Sequence, residues 1–215
     1  MSSQAGDLVA RGHAPQWTVT RVVSTADSID SRDGLEGLDD AGLVSACRAG
    51  RRAAFDVLVE RHRRSVYNLC YRFAGNHEDA SDWAQDVFLR AYRGLTRFKG
   101  ESAVATWLYR IGVNACLNRV SAKSAPMVRL ADAPDLIATT ADPASDMMAS
   151  ERATEVRAAI ARLPERQRAT LVLRIYHERS HREIAEILGT TEGAAKANLF
   201  HALGNLKKLL SRRTT

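Results

Sequence analysis

The chain has 215 residues, 45% of them hydrophobic and 26% charged, and a net charge of +6, which suits a soluble globular protein with one large or two small domains. Its three cysteines, Cys47, Cys70 and Cys116, are far apart and lack CxxC spacing, which argues against a disulfide framework or a zinc ribbon and for small buried residues in a reducing cytoplasm. No basic segment followed by an apolar run marks a signal peptide, and no stretch approaches the ~20 apolar residues needed to span a bilayer, so a cytoplasmic protein is expected.

Charge is unevenly spread. Residues 1–40 carry −4, residues 41–123 carry +7, residues 124–150 carry −3 and residues 151–215 carry +6. Two basic blocks thus alternate with two acidic, apolar-poor segments, a layout that suits a polyanionic partner such as nucleic acid.

Residues 1–37 are rich in Ser, Gly, Asp and Ala, and only Trp17–Val23 has β character. A lone strand is not stable, so a disordered N-terminal extension is expected. Order is expected from Leu38. Asp39 and Asp40 offer N-caps for a short helix ending at Gly50. A longer one follows with Phe55, Leu58, Val59, His62, Val66, Leu69, Cys70 and Phe73 at spacings of three and four, stopping at Gly75-Asn76. His62 on that face fits a packed or half-exposed histidine better than a ligand.

The next stretch, Glu78–Tyr92, places Ala80, Trp83, Ala84, Val87, Phe88 and Ala91 on one helical face and Asp79, Asp82, Gln85 and Asp86 on the other. An acidic strip in a basic block is either a solvated face or a docking strip for a basic partner. After a loop through Phe98, Lys99, Gly100 and Ser102, a fourth helix is expected over 103–122. Its core side carries Trp107, Leu108, Ile111 and Ala115. Thr106, Tyr109, Arg110, Asn114, Asn118 and Arg119 make a polar, basic and aromatic side that suits single-stranded nucleic acid. Four helices with short connections define a compact domain over 38–123.

Residues 124–149 hold Pro126, Pro134 and Pro143 among Ala, Asp, Thr and Ser, the composition of a flexible linker. A second helical domain is expected over 150–215, with helices at 151–162 and 165–176 separated by Leu163-Pro164. A pair at 180–188 and 191–210 then turns at Gly189-Thr190. Ser180 with Glu183 spells a capping box, and Thr190 or Thr191 can cap the last helix. Ile184, Ala185 and Leu188 pack against Ala195, Leu199, Ala202 and Leu206, which makes a helix-turn-helix. Such units read duplex DNA with the N-terminal half of the second helix, although some bind only protein. Lys196 and Asn198 can contact phosphate or a base edge there, and Arg179, His181 and Arg182 stand near a helix N-terminus where phosphate commonly binds. His177–His181 also spells HExxH, a zinc-protease signature on one continuous helix. The Ser180 cap breaks that helix, and no third ligand follows. No P-loop, GxGxxG or GxSxG occurs, so neither a catalytic constellation nor a cofactor is expected. The residues alone leave open a helix-turn-helix regulator whose N-terminal helices bind a protein or small ligand.

Gly75-Asn76, Asp79-Ala80, Asp82, Gln85–Ala91, Phe98, Thr106–Leu108, Arg110-Ile111 and Asn114 resemble region 2 of a bacterial sigma factor. Leu163-Pro164, Arg168, Glu183–Ala185, Leu188-Gly189 and Gly193 resemble region 4. The presence of these two regions alone, joined by a linker, is similar to the extracytoplasmic-function (ECF) group. The resemblance implies an all-α, two-domain, non-enzymatic specificity subunit of RNA polymerase. It implies that Asp82, Gln85 and Asp86 dock on the β′ clamp helices and that Phe98, Lys99, Ser102, Tyr109, Arg110, Asn114, Asn118 and Arg119 melt and hold the minus-ten element. It further implies that region 4 meets the β flap and reads the minus-thirty-five duplex through Arg179, His181, Arg182, Thr191, Lys196, Asn198 and His201. An anti-sigma factor, often membrane-anchored, is the implied regulator. One departure stands out: the last helix of the family often carries Thr-Val-Lys-Ser-Arg where this chain has Ala194-Ala195-Lys196-Ala197-Asn198, so Asn198 stands where the family has an arginine.

Overall fold

The computed structural model describes Arg32, residues 34–124 and residues 143–211, and every regular element among them is helical. The Trp17–Val23 segment and most of the N-terminal extension lie outside the described residues. The boundary at 37 needs correction, because Leu35 is fully buried in the first domain and its carbonyl accepts from the Leu38 amide at 3.1 Å. One apolar side chain is enough to pin the end of an otherwise polar segment.

Helix α1 (Asp40–Arg48) starts at Asp39, whose carboxylate accepts from the Gly42 amide at 2.7 Å. Helix α2 (Ala53–Ala74) buries Val57, Leu58, Val66, Leu69, Cys70 and Phe73 and ends at a left-handed Gly75. His62 is half-buried and meets Asp40 at 2.8 Å. Helix α3 (His77–Gly94) is capped by Asn76, whose side-chain oxygen accepts from the Asp79 amide at 2.8 Å. It buries Ala80, Trp83, Ala84, Val87 and Ala91, as its periodicity predicts, with Phe88 half-buried. A 3-10 turn over Leu95–Arg97 leads to helix α4 (Val104–Ser124).

Helices α2, α3 and α4 pack on one another around Leu69, Trp83, Val87, Val113 and Cys116. Each fully buried aliphatic side chain of this set contributes roughly 2 kcal/mol by leaving water. Gly112 sets the approach of α4 to α2, since a methyl group there would stand 2.8 Å from Leu69 Cδ2. Cys70 and Cys116 face each other in this core with their sulfurs 3.9 Å apart. The Cys116 thiol is pushed up by its hydrogen bond with Cys70 and by burial, which suits a packing role.

Helix α5 (Pro143–Ala161) begins eight residues earlier than expected, inside the segment that composition marks as linker; residues 125–142 lie outside the described set. Pro143 does not oppose this, because a first helical position needs no N–H donor. Helix α6 (Glu165–Ile175) follows the Leu163-Pro164 break, and helices α7 (His181–Leu188) and α8 (Glu192–Ser211) form the helix-turn-helix. Ser180 and Glu183 complete the capping box, Thr191 Oγ1 accepts from the Ala194 amide at 3.1 Å, and Gly189 turns the chain with φ +59. Ile187 joins Ile184 and Ala185 in the core against Ala195 and Ala202. The two helical groups touch: α4 packs on α7, and the end of α2 on α6.

Candidate protein-docking and nucleic-acid surfaces

The acidic strip of α3 divides on inspection. Asp79 accepts from the Asn76 side-chain amide at 2.8 Å, so it belongs to the helix start. Asp86 is half-buried and accepts from Arg90 at 3.0 Å and Arg119 at 3.2 Å. Partial burial alone would raise its pKa, but the two guanidiniums outweigh that and hold it below the usual carboxylate range. Asp82 and Gln85 are exposed. One and two turns further on stand Leu89 and Tyr92, each 49% exposed, with Tyr92 edge-on to Phe55. The outward face therefore combines acid, amide and apolar groups. Leu89 and Tyr92 are not candidates from sequence, because a scattered Leu or Tyr is ordinary surface until its neighbours are known.

Beside this strip, across Arg90, lies an open cleft of roughly 400 Å³. Phe98 and Trp107 meet in its wall with ring centroids 4.8 Å apart, and Ile111 and Gly94 complete the apolar lining. Arg97 and Asn114 supply polar groups at the rim. An apolar, aromatic wall with an arginine and an amide on its edge can take a base by stacking and hydrogen bonding. Lys99, Asn114 and Asn118 are exposed and Ser102 is half-buried nearby. Phe98 is buried against Trp107, so it forms the wall itself. Arg97 joins the expected set; its signal was its place immediately before Phe98 in a basic loop.

Tyr109 and Arg110 behave otherwise. Tyr109, counted with the polar side of α4, is only 4% exposed, and its hydroxyl shares a 2.9 Å hydrogen bond with His177 Nδ1 in the second domain. Arg110 donates to the Glu186 carbonyl at 3.2 Å. Arg119 stays within its own domain, on Asp86 and over the Trp83 ring at 5.6 Å.

In the second domain His177 lies in the loop between α6 and α7, so the HExxH residues do not share one helix, and no cluster of three or more metal-ligating side chains exists among the described residues. Burial, then the neighbouring Arg179 and Arg72, push His177 down to about 4, so it is neutral at pH 7. Arg179 pairs with Glu183 at 2.9 Å and lies 4.7 Å over the Tyr109 ring. The Ser180 amide and hydroxyl, with Arg179, hold Glu183 at about 2.

Around the N-terminal ends of α7 and α8, Arg182, Thr191 and Lys196 are exposed and His181 and Asn198 half-exposed, and His201 is exposed midway along α8. Lys196 leans on Glu192 at 2.8 Å, an exposed helix pair that a stronger anion can displace. Phe200, 76% exposed, stands edge-on to His201. Arg182 and Lys196 place exposed positive charge near the starts of α7 and α8, Phe200 and His201 follow midway along α8, and Arg179 is tied into the domain junction.

Residues 58–125 match the model of sigma-70 region 2, and residues 153–206 that of sigma-70 region 4. The ECF RNA polymerase sigma factor SigM of Mycobacterium tuberculosis is 38% identical over 82% of this chain and 87% of its own. The ECF RNA polymerase sigma-E factor of Escherichia coli K12 is 33% identical over 78% of this chain and 92% of its own. Among solved structures, CnrH in complex with the cytosolic domain of CnrY superimposes with a TM-score of 0.60 at 24% identity, covering 80% of this chain and 97% of that one. The Bartonella quintana sigma factor RpoE, solved with the anti-sigma factor NepR, gives 0.57 at 18% identity, covering 73% and 96%. Both solved structures share the all-α fold.

Proposed function

Because this chain belongs to the extracytoplasmic-function group of RNA polymerase sigma factors, we propose that it works as a non-catalytic initiation factor whose α3 surface attaches it to core polymerase while α4 and the helix-turn-helix read promoter DNA. The observation that carries this division is the layout of charge and shape. An exposed acid–amide–apolar face built from Asp82, Gln85, Leu89 and Tyr92 lies beside a basic, aromatic-walled cleft on the same domain. The first suits the β′ clamp helices, and the second suits a base held out of a melted minus-ten strand.

Lys99, Arg97, Asn114 and Asn118 would hold the single strand at that cleft. Arg182, Lys196, Asn198 and His201, with the N-terminal turn of α8, would meet the minus-thirty-five duplex, while the β flap would engage the second domain. An anti-sigma factor is the regulator that this class of protein calls for. No helix among the described residues is long and apolar enough to cross a membrane.

Run-off transcription from the protein's own upstream region, with core polymerase and this protein purified, tests the whole proposal. Promoter-specific transcripts are expected, and failure of the core enzyme to bind would end it. Asp82→Lys is expected to weaken core binding at least tenfold with unchanged helix content; unaltered affinity would reject α3 as the docking face.

A further inference from the structure

The guanidiniums around the first domain fall into two groups. Arg61 is paired with Asp40 at 2.6 Å, Arg63 with Glu60 at 3.5 Å, and Arg90 and Arg119 with Asp86 at 3.0 and 3.2 Å. Arg168, from the second domain, is buried and donates to the Phe73 carbonyl at 2.7 Å. Arg48, Arg52 and Arg97, by contrast, are exposed and have no carboxylate partner among the described residues. Residues 48–56 hold three arginines and one aspartate, Asp56, so the turn between α1 and α2 keeps a net charge of +2 that is open to an outside anion.

This turn is firmly placed. The Gly50 amide donates to the Cys47 carbonyl and the Arg51 amide to the Ala46 carbonyl, both at 3.0 Å, with Gly50 at φ +94. Arg48, at the end of α1, reaches across to the Leu95 carbonyl at 3.4 Å, and the Phe55 ring meets Tyr92 edge-on with centroids 5.0 Å apart. Those two contacts hold the turn against the end of α3 and the 3-10 turn that follows it. Leu95 begins that 3-10 turn, and Phe98, in the wall of the cleft, comes three residues later, about 6 Å further at a 3-10 rise of ~2 Å per residue. Arg97 stands between them on the cleft rim. Arg97, Arg48 and Arg52 therefore follow one another from the cleft to the α1–α2 turn.

We propose that Arg48 and Arg52 are a phosphate track that continues the cleft, so that a single strand with one base against Phe98 and Trp107 runs on past Leu95 and over the α1–α2 turn. This rests on the assignment of the cleft to single-stranded DNA made above. A base stacked on an aromatic wall leaves its flanking phosphates at the rim, where Arg97 stands, and the next phosphates meet Arg48 and Arg52. Guanidinium–phosphate contacts of this kind carry no sequence information; they add salt-sensitive affinity and fix the direction of the strand. A protein partner is the poorer fit. Between the two arginines the turn exposes Ala49 and Gly50, which let a backbone lie close and give a protein no large side chain to anchor on.

The test uses the full chain and a fluorescently labelled oligothymidine strand, with anisotropy read across a salt series. The variant carries Arg48→Gln and Arg52→Gln. It is expected to bind the strand about tenfold more weakly at low salt and to flatten the slope of log K against log salt by about 1.4, or ~0.7 for each of two phosphates. Binding to a labelled duplex of unrelated sequence, the substrate of the helix-turn-helix, is expected to stay within about twofold of the wild type.

An unchanged single-strand slope would overturn the proposal. An equal loss on the duplex would overturn it too, by making the arginines a general source of positive charge. A loss of core-polymerase affinity in place of strand affinity would do the same, by making the turn a protein contact. If the double variant loses helix content by circular dichroism, because Arg48 also holds Leu95, Arg52→Gln alone carries the test with an expected slope change of about 0.7. Arg97→Gln reads the cleft separately. Weaker binding there with the Arg48 and Arg52 variant unchanged removes the track and keeps the cleft; the reverse pattern supports strand binding at the turn and removes the cleft assignment.

Discussion

At the scale of single residues, the backbone at Glu178 is the most informative strain. It has φ +53, in the left-handed region, as the only non-glycine among the described residues with a positive φ. The turn it makes lets the Arg179 amide donate to the Leu173 carbonyl at 3.0 Å, which ends α6 and aims His177 and Arg179 at the other domain. A side chain in that region costs about 1 kcal/mol, and Glu178 is exposed. Glu178→Gly should therefore raise the free energy of unfolding by up to about 1 kcal/mol, less the added chain entropy of glycine. Urea denaturation would show it, and a lower midpoint would mean that the glutamate side chain holds the turn.

The acidic strip gives a second residue-level contrast. Asp86→Ala should lose the contacts to Arg90 and Arg119 and cost up to about 1 kcal/mol for a pair this exposed. Asp82→Ala should stay within about 0.5 kcal/mol of the wild type. Thermal melts of the two proteins would separate a structural carboxylate from a docking one, and equal losses would erase the distinction. The sequence alone could not, since both lie on the polar face at helical spacing. The difference comes from Arg119, 33 residues away in sequence on α4.

At the scale of elements, start and stop signals were legible because their physics is local. Asp39 and Ser180 cap the helices they precede, and Gly75 and Gly189 end the ones they follow, while Asn76, read from sequence only as part of a stop, also caps α3. The start of α5 was not legible, because Pro, Ser, Asp and Ala serve a linker or a first helical turn equally well.

The capping box of α7 can be tested through pH. Glu183 is held at about 2 by the Ser180 amide and hydroxyl and by Arg179, against an ordinary 4.5. Its folded pKa is depressed, so its contribution is complete above pH 4.5 and is lost as pH falls toward 2. Ser180→Ala should cost about 1 kcal/mol at pH 7. Glu183→Gln should flatten the fall in helix-turn-helix stability between pH 4.5 and 2, read by circular dichroism melts across that range. A slope equal to that of the wild type would place the acid sensitivity elsewhere.

At the scale of the molecule, the docking of one domain on the other was the part that periodicity could not reveal. Tyr109 lies away from the α2–α3 core, and a sequence pattern has only two kinds of face to offer, core or solvent. The structure uses a third, a junction between domains, and Arg168 and His177 are its other half. His177 makes that junction sensitive to pH. Its imidazole bonds the Tyr109 hydroxyl, with Arg179 from its own domain and Arg72 from α2 close by, and its Nε2 has no hydrogen-bond partner among the described residues. Burial and the two guanidiniums hold it at about 4, whereas opening the junction returns it toward its ordinary 6.5. The open form thus carries more protons between those values. The contribution of neutral His177 to the junction is complete above pH 6.5 and is lost as pH falls toward 4, by up to about tenfold in the docked-to-undocked ratio per pH unit. Asp86 and Glu183 are both held below the usual carboxylate range and remain ionised at pH 5, so they do not supply the same response. Scattering at pH 7.5 and pH 5 should show the wild type expanding at the lower value, and His177→Gln, which stays neutral, keeping one size across both. If the glutamine protein expands equally, His177 is not the group that titrates the junction.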